Sequence, residues 1–269
     1  VKVIEVLQEA STRVYKNVKH LAGTKESGVD FGMGAGGDIS RGIDIIAEKT
    51  VLDYLKEIKF DCIVLGEECG RVELSKNPKG YIVMDAIDGS TNAVRGIPFF
   101  CCSLAFATDN KLSSVTDAVV VDLSNGDTCY ATKGGGAFMN GKRISVNKER
   151  HFYFVVGLDI SGISAEMLQK LSPMISTTNH IRHFGAVALE LAIFARGLVD
   201  VLVDLREKLR STDVAAGYLI ALEAGGHIVN QYGKFLDSEL AYDNKISFIA
   251  AASKELLDET ITKLKIAGW

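Results

Sequence analysis

Clustered positive charge is missing from this 269-residue chain: 34 Asp and Glu outnumber 30 Lys and Arg, the formal net charge is −4, and no Lys/Arg block occurs. Nucleic-acid binding draws on counterion release by clustered basic groups, so nucleic acid is not expected as a partner. A small anion held in a local pocket is not excluded. Long apolar runs are missing too. None reaches the ~18 residues of a membrane span, and the opening stretch VKVIEVLQEASTRVYKNVKH is amphipathic rather than built like a signal peptide. The expectation is a soluble cytoplasmic protein with no membrane partner. Cysteine is sparse and odd in number, and Cys62, Cys69, Cys101, Cys102 and Cys129 contain no C-x-x-C pair. That removes zinc ribbons and thioredoxin-type sites and leaves reduced thiols as the expectation. Proline is scarce, at three residues, and no Pro/Gly/Ser-rich linker, repeat or low-complexity tract separates the chain into loose parts. What is present is 47% hydrophobic and 24% charged, enough to bury a sizeable core in one large domain or two intimate subdomains.

Apolar periodicity supplies the elements. Val3, Leu7, Ala10, Val14 and Leu21 recur at helical spacing and predict a helix over 2–22. Residues 23–41, GTKESGVDFGMGAGGDISR, are glycine-rich and nearly free of large apolar groups, which predicts a mobile loop. Helical spacing resumes over 43–58. CIVLGEE and YIVMDAIDG read as strands ending in acid, and several β-forming runs follow over 101–146, with turns at Ser124-Asn125-Gly126 and Asn140-Gly141. In the second half, strands are expected at 152–158, in LVDVLVD and in SFIAAA. Helices are expected near 164–171, at 186–195, over 212–224 and over 253–266. Short strands alternating with helices indicate an α+β protein with layered α/β packing. The expected division falls near residue 150, into 1–150 and 151–269.

Several acids sit where strands end or helices begin. Taken alone, Asp213 reads as a helix-start acid and Glu67-Glu68 as a solvent-facing loop. The segment Asp85-Ala86-Ile87-Asp88-Gly89-Ser90-Thr91-Asn92 resists such a reading. A carboxylate at the end of a buried strand must be paired, protonated or metal-bound, and no Lys or Arg lies in 81–94. Oxygen donors without His or Cys suit Mg²⁺, Mn²⁺ or Ca²⁺ rather than zinc, and the Ile87 carbonyl offers another oxygen. Gly89-Ser90-Thr91-Asn92 can open a short helix whose first amides would cradle a phosphate. Metal carboxylates beside such a turn point to metal-assisted phosphoryl chemistry.

DAIDGSTN closely resembles the D-P-x-D-G-[ST]-x-N signature of the inositol monophosphatase superfamily, several branches of which are lithium-sensitive. Gly66-Glu67-Glu68 upstream is similar to its partner motif. STDVAAGYLIALEAGG resembles its second signature, W-D-x-A-A-G followed by a helix and E-A-G-G. GIPFF and IRHFGAVALELAIFARGLVDVLVDLREKLRSTD look like the archaeal-type branch that hydrolyses both inositol 1-phosphate and fructose 1,6-bisphosphate. Ala86 stands where Pro is usual, which removes no ligand. Thr212 stands where Trp is usual, which makes that side of the pocket smaller and more polar.

The resemblance implies a five-layered α-β-α-β-α sandwich and a Mg²⁺-dependent phosphatase with two or three ions per site, Mn²⁺ being a substitute. It places the first ion on Glu67, Asp85 and the Ile87 carbonyl, and the second on Asp85, Asp88 and Asp213. A weaker third ion would use Glu67, with Asp38 carried in by the glycine-rich loop. It gives Ser90, hydrogen-bonded to Asp44, the task of orienting the attacking water. Substrate binding falls to Asp88, the amides of Gly89 and Ser90, Arg182, the backbone near Val187, and Arg206; two arginines suit a second phosphate. Relatives are usually dimers or tetramers, so a homo-oligomer is expected. Within the phosphatases, bisphosphate nucleotidases acting on nucleotide 3′-phosphates are the alternative. A non-catalytic metal- or phosphosugar-binding protein is a further one, against which stands the presence of Glu67, Asp85, Asp88 and Asp213. Gly32 to Gly37, GMGAGG, formally satisfies G-x-G-x-x-G, but KESGVDF before it is no buried strand, so a nicotinamide site is not indicated.

Overall fold

Two sheets of unequal size, held apart by a pair of helices, set the frame. The structure is a computed structural model and describes residues 2–149 and 154–266. Helices α1 (Val3–Val18) and α2 (Gly42–Glu57) flank a short antiparallel hairpin, β1 (Asp30–Met33) and β2 (Ile39–Arg41). The strands β3 (Ile63–Gly66), β4 (Gly70–Glu73) and β5 (Tyr81–Asp88) follow, then the short helix α3 (Ser90–Arg95). Next come β6 (Cys101–Ala107), β7 (Val115–Asp122), β8 (Thr128–Thr132), β9 (Gly136–Met139) and β10 (Lys142–Ile144). These make one eight-stranded sheet in the order β10-β9-β8-β7-β6-β5-β3-β4. Beyond it lie β11 (Val155–Leu158), α4 (Ala165–Ser176), β12 (His180–Arg182), α5 (Val187–Ala195) and β13 (Val201–Leu209). The chain closes with α6 (Ser211–Glu223), β14 (His227–Asn230), β15 (Ile246–Ala251) and α7 (Lys254–Ile266). The second sheet has five strands, ordered β12-β11-β13-β15-β14.

The helices sort into three layers. α1 and α2 cover the outer face of the large sheet, α5 and α6 fill the space between the sheets, and α4 and α7 pack together beyond the small sheet. This is the expected α-β-α-β-α order. The sequence follows the layering. The outer helix α1 buries one stripe, Val6, Leu7, Ala10, Val14 and Val18, as a surface helix does. The inner helices are apolar almost all round, and α6 is buried at every position from Ser211 to Ala221. Gly217 lets α5 and α6 touch: a Cβ there would stand 2.6 Å from Leu191 Cβ. No described helix is long and apolar enough to cross a membrane. All five cysteines are free thiols.

Some elements differ from the sequence expectation. The first helix stops at Val18, and Leu21 packs from the following turn. The stretch 23–41 is not structureless, since it contains the β1–β2 hairpin. The strand expected from 152 starts partly outside the described residues and is seen as β11. The strands β4, β12 and β14, each at a sheet edge, carry little apolar alternation and were not expected.

Candidate functional site

In a regular strand, residues three apart face opposite sides, so Asp85 and Asp88 could not share a site. The structure resolves this with a bulge. Asp85 pairs with Ser103 and Asp88 with Cys101, so three steps on β5 match two on β6. The extra residue turns both Ala86 and Ile87 to the outer core beneath α1 and α2, where Ile82 and Met84 also lie. Val83 belongs to the inner core, and Asp85 and Asp88 face the same inner side. Bulges re-aim side chains in this way at the ends of pairing. Gly89 then takes φ +88°, and a Cβ on it would stand 2.9 Å from Ala186 Cβ at the start of α5. Glycine is required twice over there.

Two further acids arrive from neighbouring elements. β3 pairs parallel with β5, Gly66 opposite Met84, so Glu67 leaves the sheet beside Asp85. Asp213 is the third residue of α6; its carboxylate accepts the Arg210 N–H at 2.8 Å and the Thr212 hydroxyl at 3.0 Å. One carboxylate oxygen each from Glu67, Asp85 and Asp213 lies within 4.8 Å of the others. Burial raises all three, and repulsion from neighbouring carboxylates adds to it at Glu67 and Asp85. Glu67 is pushed up to about 8 by burial and by the Asp213 charge. Asp85 stands well above the usual carboxylate range, through burial and then Glu67 and Asp88. Asp213 is raised by burial, against the pull of the Arg210 N–H. Opposite Asp85, the buried Ser103 hydroxyl has no hydrogen-bond partner among the described residues. A buried, mutually repelling set of oxygen donors with no His or Cys among them fits a hard divalent cation.

Beside this set is the Ser90–Asp44 pair. Asp44, on the first turn of α2, accepts the Ser90 hydroxyl at 2.8 Å and the Arg41 N–H at 2.8 Å. The Ser90 oxygen also lies 3.0 Å from the Ile87 carbonyl. Burial pushes Asp44 up to about 7, although both hydrogen bonds pull the other way. A small cavity joins the two groups, lined by Asp44, Glu48, Glu67, Glu68, Asp85 and Ser90.

Asp88 has a second task. Its Oδ2 accepts the Ala188 N–H at 2.6 Å, so a strand of the large sheet caps the start of α5. Burial and Asp213 push it up to about 7, against the amides of Ala188, Val187 and Leu189. Val187 is thereby tied to Asp88 through its backbone. Nearby, the Glu190 carboxylate accepts the Gly185 N–H at 3.0 Å and is pushed up to about 8 by burial. The two arginines behave differently. Arg182 on β12 is exposed and makes no ion pair among the described residues. Arg206 on β13 is held by Asp204 at 2.6 Å and Asp159 at 2.7 Å. Asp159 also meets His183 Nε2 at 3.0 Å, the same nitrogen that Ser161 Oγ contacts at 3.1 Å. One shared nitrogen cannot relay a proton between them, so this is no Ser-His-Asp triad.

Asp38 sits on the hairpin turn and pairs with Arg210, which also contacts Glu67 Oε1 at 2.8 Å. Sequence reasoning missed Arg210 and also Glu48. Glu48 is buried, accepts the amides of Glu68 at 3.0 Å and Cys69 at 2.8 Å, and so fixes the turn that carries Glu67. Its place four residues after Asp44, one helical turn on, was the available signal.

The profile of the inositol monophosphatase family matches residues 1–268. A relative from Methanothermobacter thermautotrophicus, named fructose-1,6-bisphosphatase/inositol-1-monophosphatase, is 32% identical over 94% of this chain and 93% of its own. A bifunctional NADP phosphatase/NAD kinase of Methanococcus maripaludis is 30% identical over 99% of this chain and 50% of its own length. A crystal structure of an inositol monophosphatase–fructose 1,6-bisphosphatase superposes with a TM-score of 0.88 and 28% identity, covering 98% of this chain and 100% of that one. The Thermotoga maritima inositol monophosphatase gives 0.79 and 27%, covering 98% and 96%. Matched over nearly its whole length, the chain belongs to the inositol monophosphatase family and is a phosphoric monoester hydrolase.

Proposed function

We propose that this protein hydrolyses fructose 1,6-bisphosphate to fructose 6-phosphate and inositol 1-phosphate to inositol, using Mg²⁺, with Mn²⁺ able to replace it. The observation that carries the reading is the convergence of Glu67, Asp85 and Asp213 beside the Ser90–Asp44 pair. Relatives named for both activities support the substrates. Glu67, Asp85 and the Ile87 carbonyl hold the first ion; Asp85, Asp88 and Asp213 hold the second. Asp88 keeps Oδ1 for that task, since Oδ2 is engaged with α5. Asp38, the remaining acid, pairs with Arg210, which also contacts Glu67. Bound ions supply Lewis acidity, lowering the pKa of a water and neutralising charge on the phosphate and the leaving oxygen.

The chain's own groups do the rest. Ser90 orients the water through its hydroxyl, and Asp44, pushed up to about 7, can hold a proton at that hydroxyl near neutral pH. The amides of Gly89 and Ser90, which meet no acceptor among the described residues, face the phosphate. Arg182 is free to approach an anion. Arg206 is held in one orientation by two carboxylates and turns its remaining donors to the substrate. The Val187 backbone keeps Asp88 in place. In this reading 1–150 carries most of the metal ligands, and 151–269 supplies the arginines and Asp213. The protein works in the cytoplasm as a homodimer or homotetramer.

Phosphate release with and without Mg²⁺ tests this, with fructose 1,6-bisphosphate, inositol 1-phosphate, adenosine 3′,5′-bisphosphate and NADP as substrates. Mg²⁺-dependent turnover of the first two, abolished by Asp88→Asn, is the expected result. Turnover of the nucleotides alone would overturn the substrate assignment and keep the metal chemistry. No turnover by a folded protein that binds Mg²⁺ would make it a binding protein.

A further inference from the structure

Arg210 stands where the acidic cluster meets the β1–β2 hairpin. Its backbone N–H holds Asp213, and its guanidinium contacts Glu67 Oε1 at 2.8 Å, the Gly36 carbonyl at 2.9 Å and 3.2 Å, and the Asp38 carboxylate. The side chain is only 8% exposed. Burial pulls its pKa down, but Glu67 and Asp38 outweigh it and hold the group charged. Around it the hairpin turn is closed by Gly34 N–H to the Asp38 carbonyl at 2.9 Å and docked by Gly36 N–H to the Glu67 carbonyl at 2.7 Å and Ala35 N–H to the Glu68 carbonyl at 3.3 Å. The two carboxylates that the guanidinium bridges are the pair that a third ion would use, Glu67 being shared with the first.

We propose that Arg210 is a built-in cation at this third position: it stands between Asp38 and Glu67 in place of a divalent ion, latches the hairpin turn over the cluster, and limits the site to two ions. The inference rests on the reading of Glu67, Asp85, Asp88 and Asp213 as metal ligands. A guanidinium is always charged, offers five N–H donors in a plane and has no atom to give a metal. It offsets half the charge of the two acids at any ion concentration, because the chain itself delivers it. A divalent ion between the same carboxylates would lie against it, and like charges at that separation repel. The two cations therefore exclude one another. Arg210 is a positioning residue: it acts through Glu67, whose Oε2 it leaves for the first ion, and through Asp38.

Two measurements test this. Mn²⁺ bound per chain, counted by equilibrium dialysis at saturation, is expected to be two for the natural protein, three for Arg210→Gln and two for Arg210→Lys, which keeps the charge. A merely structural role would not sort these variants by charge. Hydrogen exchange of the metal-free protein is expected to show the Gly36 amide exchanging at least tenfold faster in Arg210→Gln. Asp38→Asn, an exposed change that leaves the buried acids paired, should speed it likewise and keeps the test open if Arg210→Gln does not fold. Three Mn²⁺ in the natural protein, or unchanged Gly36 exchange in both variants, overturns the inference while the metal site stands. No Mn²⁺ at all overturns both.

Discussion

Helices α2 and α6 begin alike. Each is preceded by an arginine, Arg41 or Arg210, and carries an aspartate at its third position, Asp44 or Asp213. In both, that aspartate accepts the arginine's backbone N–H at 2.8 Å. Arginine has no acceptor to return, so each start is half of a capping box. Beyond this the two part. The second oxygen of Asp44 takes the Ser90 hydroxyl, and Arg41 makes no ion pair among the described residues. Asp213 takes the Thr212 hydroxyl and faces Glu67 and Asp85, while Arg210 is buried among acids. On the proposed reading, the same local device places one carboxylate for proton handling and one for metal binding. Local geometry sets where the carboxylate points, and the strand opposite sets what it does.

The largest test of that division exchanges each acid for its amide. Asp213→Asn should weaken Mn²⁺ binding by more than about 100-fold, since even residues behind the ligands are worth roughly 10–100-fold, and turnover should fall with it. Asp44→Asn should lower kcat by about 10²-fold or more, as loss of a proton-handling group does, with Mn²⁺ affinity changed only a few-fold. Dialysis and steady-state kinetics on both variants decide. Equal loss of Mn²⁺ in the two would erase the distinction between the helix starts.

The pH dependence of stability separates them next. Unfolded carboxyls titrate near pH 4. In the folded, metal-free chain Asp44 and Asp88 are pushed up to about 7, and Glu67 and Glu190 to about 8. Between those limits the folded state holds protons that the unfolded state has lost, so stability is greatest at the acid end and falls as pH rises through 7 to 8. The melting temperature of the metal-free protein should drop by on the order of 10 °C from pH 5 to pH 8. Mg²⁺ should flatten most of that slope, because it stabilises the ionised Glu67 and Asp88. The part that remains belongs to Asp44 and Glu190, and Glu190→Gln should reduce it. A melting temperature that rises with pH without metal would show that the acids are not buried together.

Much of this was legible in the sequence, for reasons that also mark its limit. Asp85 and Asp88 stand on one short stretch at the end of an apolar strand with no basic residue near, so that stretch alone raises the question of a cation; the roles of Glu67 and Ser90 come from the resemblance to the family. The bulge that brings Asp85 and Asp88 to one side was not readable, because it depends on pairing with Ser103 and Cys101. Nor was Arg210, whose partners Asp38 and Glu67 lie far away in the chain. The hairpin within 23–41 escaped because its strand Asp30–Met33 is exposed throughout and shows no buried face. Thr212 departs from the family pattern in the sequence itself, but its donation to Asp213 arises only in the folded helix start. Thr212→Val removes that bond. It should cost about 0.5–1.5 kcal/mol of stability and roughly tenfold in Mn²⁺ affinity, an effect confined to the α6 start.

The smallest effect is expected at Arg41, and it tests the comparison most directly. The contact to Asp44 comes from the Arg41 backbone N–H, which every residue but proline supplies. The Arg41 side chain is half-exposed and bridges nothing among the described residues, so Arg41→Ala should change stability by no more than about 0.5 kcal/mol, as surface substitutions do. Urea titration of Arg41→Ala beside Arg210→Gln measures the contrast. If Arg41→Ala is as damaging as Arg210→Gln, the side chain at the α2 start does more than complete a turn, and the two starts are equivalent after all. If only Arg210→Gln is damaging, what distinguishes the arginines is the acidic surroundings that the fold provides for one of them.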